Sequence, residues 1–277
     1  MPQLSIITIN RNDAKGLEHT LKSVWKMQTF KDFEHIIIDG ASCDGSVDVI
    51  KKYATKLAYW ISEPDKGVYN AMNKGIVKAQ GEYLLFLNSG DWLENDVLRQ
   101  VFEKELVEDI VYANLYYNYS LEDVENFPDK LTVPFLLTSF LGHPSTFIRR
   151  ELFKNSLYEE KYKIISDWVF FVKKIVLEGC TTRHLDIVTT HFNTNGMSCA
   201  SENAELILRE KQDFFDHTFP CLITDLVREY EVRDKVLNTI SKNRIQRLIS
   251  SKWIQKRVRQ YMKVLFVLER CFRKNLH

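Results

Sequence analysis

Short apolar runs alternate with segments of helical periodicity along the first 90 residues of the chain. Four runs have the length and apolar content of buried strands, and they span residues 4–9, 35–38, 58–61 and 83–87. The segments between them space their apolar residues as amphipathic helices do, and they span residues 17–27, 46–53 and 67–79. Continuous apolar strands separated by helices are typical of a mostly parallel sheet that is covered on both faces. The pattern therefore predicts a doubly wound α/β fold.

Beyond residue 109 the alternation is less regular. It still predicts strands at 110–113, 145–148 and 183–192, and a strongly apolar helix at 166–177. From residue 201 onwards the apolar spacing is helical. We therefore expect an α/β domain over residues 1–200, followed by a helical C-terminal region over residues 201–277.

Polar side chains follow each of the four strands predicted in the first 90 residues. They are Asn10, Asn12, Asp39, Glu63, Asp65, Asn88 and Asp91. In a parallel sheet the carboxyl ends of the strands meet at one edge, and ligands bind beyond that edge. Loops are polar in any protein, but four strand ends in succession favour a ligand site. The chain has no GxGxxG or GxxxxGKS/T motif, so the usual evidence for a dinucleotide-binding or P-loop domain is missing.

Charge is unevenly distributed, although 38 Lys and Arg residues nearly balance 37 Asp and Glu residues. Residues 231–277 hold 13 basic and 3 acidic residues, a local charge of +10, which leaves −9 for residues 1–230. Residues 245–272 carry apolar side chains at roughly helical steps with basic ones between them, which predicts a basic amphipathic helix. Such a helix is typical of attachment to an anionic membrane surface. The alternative is that it packs on the acidic body or on a second copy of the chain, which leaves a homo-oligomer open.

Several other classes of protein are disfavoured. The net charge of +1 and the lack of a recognition module argue against a nucleic-acid partner. No run approaches the roughly 18 apolar residues that cross a bilayer, and the N-terminus lacks the basic segment of a signal peptide. The five cysteines are scattered without zinc-type spacing, which predicts reduced thiols. We therefore expect a cytoplasmic protein.

Four stretches together resemble the family 2 glycosyltransferases. They are residues 5–12, 37–46, 62–75 and 81–91, of which 62–75 is the most diagnostic. The similarity is good to about residue 100, patchy to about residue 200 and absent from the tail. It implies a GT-A fold in which residues 1–100 bind a nucleotide sugar and residues 101–200 bind the acceptor.

The resemblance implies an inverting glycosyltransferase of bacterial cell-surface polysaccharide synthesis. UDP is the usual nucleotide in this family, so the expected donor is a UDP-sugar. The expected acceptor is a hydroxyl of a glycan or a polyprenyl-linked molecule. A divalent cation, Mn²⁺ or Mg²⁺, would offset the charge of the leaving diphosphate, and a carboxylate base would take the acceptor proton. The enzyme would be a peripheral protein on the inner face of the cell membrane, held there by its basic tail.

The resemblance also assigns roles residue by residue. Residues expected to bind the nucleotide sugar are Asn10, Asn12, Asp39, Asp65, Lys66, Asn73 and Asn88, with Asp39 on the base. Asp65 and Lys66 can instead belong to a helix N-terminus. Asp91 and His191 are the expected metal ligands, with a hydrogen-bonded structural histidine as an equal alternative for His191. Asn88 and Gly90 stand where the family commonly has acidic residues.

Asp167 is the expected general base. It opens the helix predicted at 166–177, so it can also serve as a helix cap, and a cap position favours the ionised form that a base needs. His143 and Trp168 are expected to contact the acceptor, with a hydrogen-bonded core histidine as the alternative for His143.

Two other functions remain open at this point. A sugar nucleotidyltransferase shares the α/β layout, but it would need a Gly-rich, basic phosphate loop after the first strand, which this chain lacks. The departure at residues 88–91 from the usual metal motif suggests a non-catalytic nucleotide-sugar-binding partner of a membrane glycan assembly complex.

Overall fold

The first half of the sheet is parallel, as the apolar pattern predicts. The computed structural model describes residues 1–117, 123–194, 196 and 201–219. The first strands are β1 (Leu4–Asn10), β2 (Phe33–Asp39), β3 (Tyr59–Ser62) and β4 (Tyr83–Phe86), joined by helices α1 (Ala14–Lys26), α2 (Ser46–Tyr53) and α3 (Val68–Lys78). They lie in the order β3-β2-β1-β4, and every pair is parallel. The elements predicted for this half are confirmed within a few residues.

Helices cover both faces of this parallel sheet, which explains why its strands are mostly apolar. Ile38 of β2 packs on one face with Met72 of α3. Ile37 faces the other way and packs with Leu17 of α1. Each of these side chains is at most 2% exposed, and burying one contributes about 1.5–3 kcal/mol. The loops at the carboxyl edge of the sheet therefore extend from a rigid frame.

The second half of the chain extends the same sheet with mixed pairing. Its strands are β5 (Trp92–Leu93), β6 (Ile110–Tyr117), β7 (Val124–Glu125), β8 (Thr146–Arg149) and β9 (Thr182–Phe192). Beyond β4 the order is β8-β6-β9-β5, and β7 pairs with β6. Strand β8 is antiparallel to both β4 and β6, whereas β9 is parallel to β6. The predicted α/β fold is confirmed, and antiparallel pairs enter only in this second half.

The helices described in the second half are α4 (Val97–Phe102), α5 (Val133–Thr138), α6 (Ser166–Phe171), which continues as a π-helix over Val172–Leu177, and α7 (Ala204–Thr218). Helix α7 packs on α6, since the rings of Phe214 and Phe215 lie 5.3 and 5.8 Å from that of Trp168. The basic helix predicted at 245–272 lies outside the described residues. None of the helices in the described part of the chain is long and apolar enough to cross a membrane.

Candidate active site

The carboxyl ends of the first three strands bring polar residues into contact around Asp39. In the sheet register Asp39 lies between Asn10 and Ser62. Its carboxylate accepts hydrogen bonds from Asn10 Nδ2 and Ser62 Oγ, each at 2.6 Å. It also accepts from the Ser42 backbone at 2.9 Å and from the Ser42 hydroxyl at 2.6 Å. Burial would raise the pKa of Asp39, but these hydrogen bonds outweigh it and lower the pKa, so the carboxylate is ionised.

A cavity of about 590 Å³ opens beyond these strand ends. The predicted site residues that line it are Asn10, Asp65, Asn88, Asp91, His143 and Asp167. Further polar lining residues include Arg11, Ser89, Lys163 and Asn193, and apolar ones include Leu115, Phe127, Phe140, Leu141, Phe192 and Ile207. The volume is that of a small-molecule site, and the cavity joins residues from both halves of the chain.

The turn after β4 presents the side-chain oxygens of Asn88, Ser89 and Asp91 to this cavity. Asp91 is 2% exposed, and its Oδ1 accepts a hydrogen bond from the backbone N–H of Asn193 at 2.8 Å. Burial raises the pKa of Asp91 to about 7, although backbone hydrogen bonds at Asn193 and Asn88 work against that rise. Asn88 Oδ1 is buried and has no hydrogen-bond partner. The turn therefore holds an oxygen without a hydrogen-bond partner, on Asn88, and a carboxylate oxygen, on Asp91, whose charged form is disfavoured by burial.

These two oxygens fit a hard divalent cation such as Mg²⁺ or Mn²⁺, which prefers oxygen ligands. A cation beside Asp91 would favour the ionised carboxylate that burial disfavours. The described residues contain no group of three or more His, Cys, Asp or Glu side chains that could hold a metal ion. Substrate diphosphate and water would have to complete the ligand set.

His191, the other expected metal ligand, does not line the cavity. Its Nε2 is hydrogen-bonded to the carboxylate of Glu94. Its ring stacks on Trp92 at 4.4 Å and contacts the Tyr116 ring at 4.8 Å. These contacts place His191 within the packing of β5, β6 and β9.

Asp167, the second residue of α6, lines the same cavity and has a side chain that is 20% exposed. Its Oδ1 accepts hydrogen bonds from the Trp168 backbone at 2.9 Å and from the Tyr69 hydroxyl at 2.7 Å. Its Oδ2 lies 3.6 Å from His143 Nδ1. One oxygen of the carboxylate is thus fixed by two donors, whereas the other makes a longer contact with His143.

His143 supports this carboxylate from a buried position. Its Nε2 lies 2.8 Å from the Tyr158 hydroxyl, and its ring stacks on Phe86 at 4.6 Å. Burial lowers the pKa of His143, although Asp167 opposes that shift, so the ring is neutral at pH 7. A neutral ring that accepts from Tyr158 at Nε2 carries its proton on Nδ1, towards Asp167. Burial also raises the pKa values of Tyr69 and Tyr158 well above the ordinary range, so both hydroxyls stay protonated.

Four residues predicted to bind the nucleotide sugar do not line the cavity: Asn12, Asp39, Lys66 and Asn73. Asn12 and Lys66 are exposed, and Asn12 Oδ1 accepts from the backbone of Cys43 at 2.9 Å. Asn73 pairs with the backbone of Tyr158, donating to its carbonyl at 2.9 Å and accepting from its N–H at 3.0 Å. Asp39 is fully buried. In this structure the side chains of Asn12, Asp39 and Asn73 hydrogen-bond to neighbouring segments.

Trp168 is also absent from the cavity wall, because it is 2% exposed and its Nε1 donates to the Leu136 carbonyl at 2.7 Å. Tyr69, in contrast, lines the cavity and contacts the carboxylate of Asp167. The two are 98 residues apart, so no local pattern indicates this contact. The only signal for Tyr69 is its place in the diagnostic stretch 62–75.

Comparisons with known proteins bear on the family to which the chain belongs. The family described as glycosyl transferase family 2 matches residues 5–170. An uncharacterized glycosyltransferase of Mycobacterium tuberculosis is 34% identical over 214 residues, which is 73% of this chain and 79% of that protein. A PGL/p-HBAD biosynthesis glycosyltransferase of Mycobacterium bovis is 31% identical over 70% of this chain and 78% of that one. The cholesterol galactosyltransferase of Borreliella burgdorferi is 26% identical over 80% and 67%.

The fold is shared with solved structures as well. The crystal structure of S. aureus TarS 1–349 in complex with UDP-GlcNAc has a TM-score of 0.62 and 20% identity, covering 81% of this chain and 70% of that one. The similarity shows the predicted GT-A type of fold. The family match spans more than half of the chain and includes both the β4 turn with Asp91 and the start of α6 with Asp167. The chain therefore belongs to glycosyltransferase family 2.

Proposed function

We propose that this protein is an inverting glycosyltransferase that moves a sugar from a UDP-sugar to a hydroxyl of a glycan or lipid-linked acceptor. The observation that carries the proposal is the single cavity that holds both the polar strand ends and Asp167. A transferase needs a donor site and a base in one space, so that the acceptor oxygen meets the anomeric carbon in line with the leaving group.

In this reaction the acceptor oxygen forms a bond to the anomeric carbon, and the bond from that carbon to UDP breaks. The acceptor proton passes to Asp167 through Oδ2, because Oδ1 is occupied by Tyr69 and the Trp168 backbone. His143 is neutral and keeps an N–H beside Oδ2, and this N–H holds the carboxylate in place. Because the ring carries no positive charge, it does not neutralise the negative charge of Asp167.

The diphosphate is expected to lie near the β4 turn. Asn88 and Asp91 would hold a divalent cation there, and the cation would offset the negative charge of the departing UDP. Arg11 also lines the cavity and supplies positive charge from the chain itself. A structural neighbour, the mannosyltransferase PcManGT from Pyrobaculum calidifontis, has a solved structure in complex with GDP-Man and Mn²⁺.

Two observations favour a lipid-linked acceptor. The second half of the chain lines the cavity mainly with apolar side chains, and one of them, Phe140, is 44% exposed. Among the relatives are a PGL/p-HBAD biosynthesis glycosyltransferase and a cholesterol galactosyltransferase. An apolar wall beside the base would bury the lipid part of such an acceptor. An acceptor of this kind resides at a membrane, which agrees with a peripheral location on the inner face.

The variant Asp167→Asn tests the proposal. UDP release and sugar transfer are measured with a panel of UDP-sugars, with and without Mn²⁺. We expect kcat to fall by about 10²–10⁴-fold while UDP binding is retained, because the amide keeps the size but not the basicity of Asp167. The matched control is Asp216→Asn, an exposed position on α7.

Turnover that is unchanged in Asp167→Asn would contradict the assignment of the base. A wild-type protein that binds UDP tightly but turns over no donor would favour the non-catalytic binding partner instead.

A further inference from the structure

Helix α7 contributes a buried carboxylate to the segment that precedes Asp167. Glu210 is 7% exposed. Its Oε1 accepts a hydrogen bond from the backbone N–H of Lys163 at 2.6 Å, and its Oε2 accepts from those of Ile164 and Ile165 at 3.1 and 3.3 Å. A charged acceptor on three consecutive amides makes stronger hydrogen bonds than a neutral one. One side chain of α7 thus fixes the backbone directly before α6.

Tyr69, which contacts the proposed base Asp167, also contacts residues 163–165 from the side opposite Glu210. The Tyr69 hydroxyl lies 2.6 Å from the carbonyl of Ile164 and 2.7 Å from Asp167 Oδ1. The N–H of Ile164 faces Glu210, and its carbonyl faces Tyr69. The Tyr69 hydroxyl has one proton and lies between two acceptors, the Ile164 carbonyl and Asp167 Oδ1, so a shift of Ile164 changes how that proton is shared with Asp167.

Other contacts of α7 surround the same segment. The Tyr162 hydroxyl donates to Asp213 Oδ2 at 2.9 Å. On the other side of Asp167, Phe214 packs edge-on against the Trp168 ring at 5.3 Å. Among these contacts, only that of Glu210 reaches three successive amides before α6, and α7 lies entirely beyond residue 170, where the family match ends.

We propose that Glu210 is a positioning residue, which sets the direction of the Asp167 carboxylate by fixing the amides of residues 163–165. The proposal rests on the proposed role of Asp167 as the base. It makes α7 part of the catalytic apparatus, although Glu210 itself touches no substrate.

The first test is Glu210→Gln, measured in the full chain with UDP-sugar turnover. Glutamine keeps the length but replaces one acceptor oxygen with an NH₂ group, which faces backbone N–H groups instead of accepting from them. We expect kcat to fall about tenfold, with the donor KM and the affinity for UDP unchanged.

The control is Glu34→Gln, the same substitution at another carboxylate that binds backbone amides. Glu34 Oε1 accepts from the N–H groups of Gln80 and Gly81 at 2.5 and 3.2 Å, near the amino end of β2 and far along the strand from the site. A general loss of stability would affect both variants, so melting temperatures are measured for both. Glu34→Gln should keep the wild-type kcat, and an equal kcat loss in both variants would overturn the proposal.

A double-variant cycle separates positioning from an independent effect. If Tyr69 and Glu210 act through the same carboxylate, the kcat loss of the double variant Tyr69→Phe, Glu210→Gln falls short of the product of the two single losses. Losses that multiply would overturn the proposal.

Hydrogen exchange tests the link without any turnover. In Glu210→Gln the amides of residues 163–168 should exchange faster, while those of β1 and β2 keep their wild-type rates; unchanged exchange at 163–168 would overturn the proposal. Asp167→Asn with wild-type turnover would contradict the proposed function instead, so the two failures are distinguishable.

Discussion

Gly90 occupies a position where the family commonly has an acidic residue, and its surroundings explain why no side chain stands there. Its φ is +92°, a conformation that residues with a side chain rarely adopt. A Cβ atom at this position would lie 2.5 Å from Asn193 Nδ2. Asn193 also donates its backbone N–H to Asp91, so the turn and the end of β9 approach closely. An acidic residue does not fit here, so the side-chain oxygens of the turn come from Asn88, Ser89 and Asp91.

Gly90→Ala should therefore damage both stability and turnover. The positive φ costs about 1–2 kcal/mol for alanine, and the clash displaces Asn193 from Asp91. We expect a lower melting temperature and a kcat that falls about tenfold, which corresponds to about 1.4 kcal/mol of transition-state stabilisation. The control is Gly179→Ala, which shares a positive φ of +72° but has nothing within 4 Å of the added Cβ. It should lose stability alone, and a wild-type kcat in Gly90→Ala would contradict this account.

At the scale of elements, α3 is tied to the segment after β8 by Asn73. The Asn73 side chain hydrogen-bonds to both the N–H and the carbonyl of Tyr158, and the Tyr158 hydroxyl in turn contacts His143. Asn70, one turn earlier on the same helix, donates to the carboxylate of Glu160. The helix that carries Tyr69 is thereby fixed against the segment that leads to Asp167.

Asn73→Ala should destabilise the protein without weakening donor binding directly. It leaves the buried N–H and carbonyl of Tyr158 without their partner, and each unpaired group costs about 1–3 kcal/mol. Urea unfolding and the donor KM measure the two effects. The control is Asn70→Ala, which gives up hydrogen bonds to the partly exposed Glu160 and to the exposed backbone N–H of Lys66 and should cost much less. A higher donor KM in Asn73→Ala with unchanged stability would instead support the sequence-based role of Asn73 in the donor pocket.

The elements that the sequence predicts well are those whose residues carry their own signal. Strands β1, β2 and β4 and helices α1 to α3 bury residues on at least one face, and β3 packs partly buried residues against the core, so their apolar spacing marks them. Strands β5 and β7 have two residues each and depend on pairing with β9 and β6, so no local pattern marks them.

The same distinction holds within the candidate site. Asp91 and Asp167 each stand at the end of a predicted element, and both line the cavity. Asn73, Trp168 and His191 hydrogen-bond to partners 85, 32 and 97 residues away, respectively. Such contacts depend on the tertiary fold, which residue type and spacing do not specify.

At the scale of the whole molecule, the charge is divided between an acidic body and a basic tail. The net charge of −9 on residues 1–230 includes the carboxylates proposed for cation binding and for the base. The net charge of +10 belongs to residues 231–277. An anionic lipid surface repels the first and attracts the second. Contact through the tail would therefore hold the body near lipid-linked acceptors while keeping its charged regions in water.

The full chain should accordingly sediment with vesicles that contain anionic phospholipid, and a chain that ends at Ser241 should not. Each basic residue near the surface contributes about 1 kcal/mol, so raising the salt concentration should release the full chain. Replacing Lys252, Lys256, Arg257 and Arg259 by Gln keeps the apolar residues and should weaken binding as well. Neutral phosphatidylcholine vesicles are the control.

Sedimentation of the shortened chain with anionic vesicles would show that the tail is not the attachment. A full chain that binds neither vesicle would favour the alternative, in which the tail packs on the body or on a second copy.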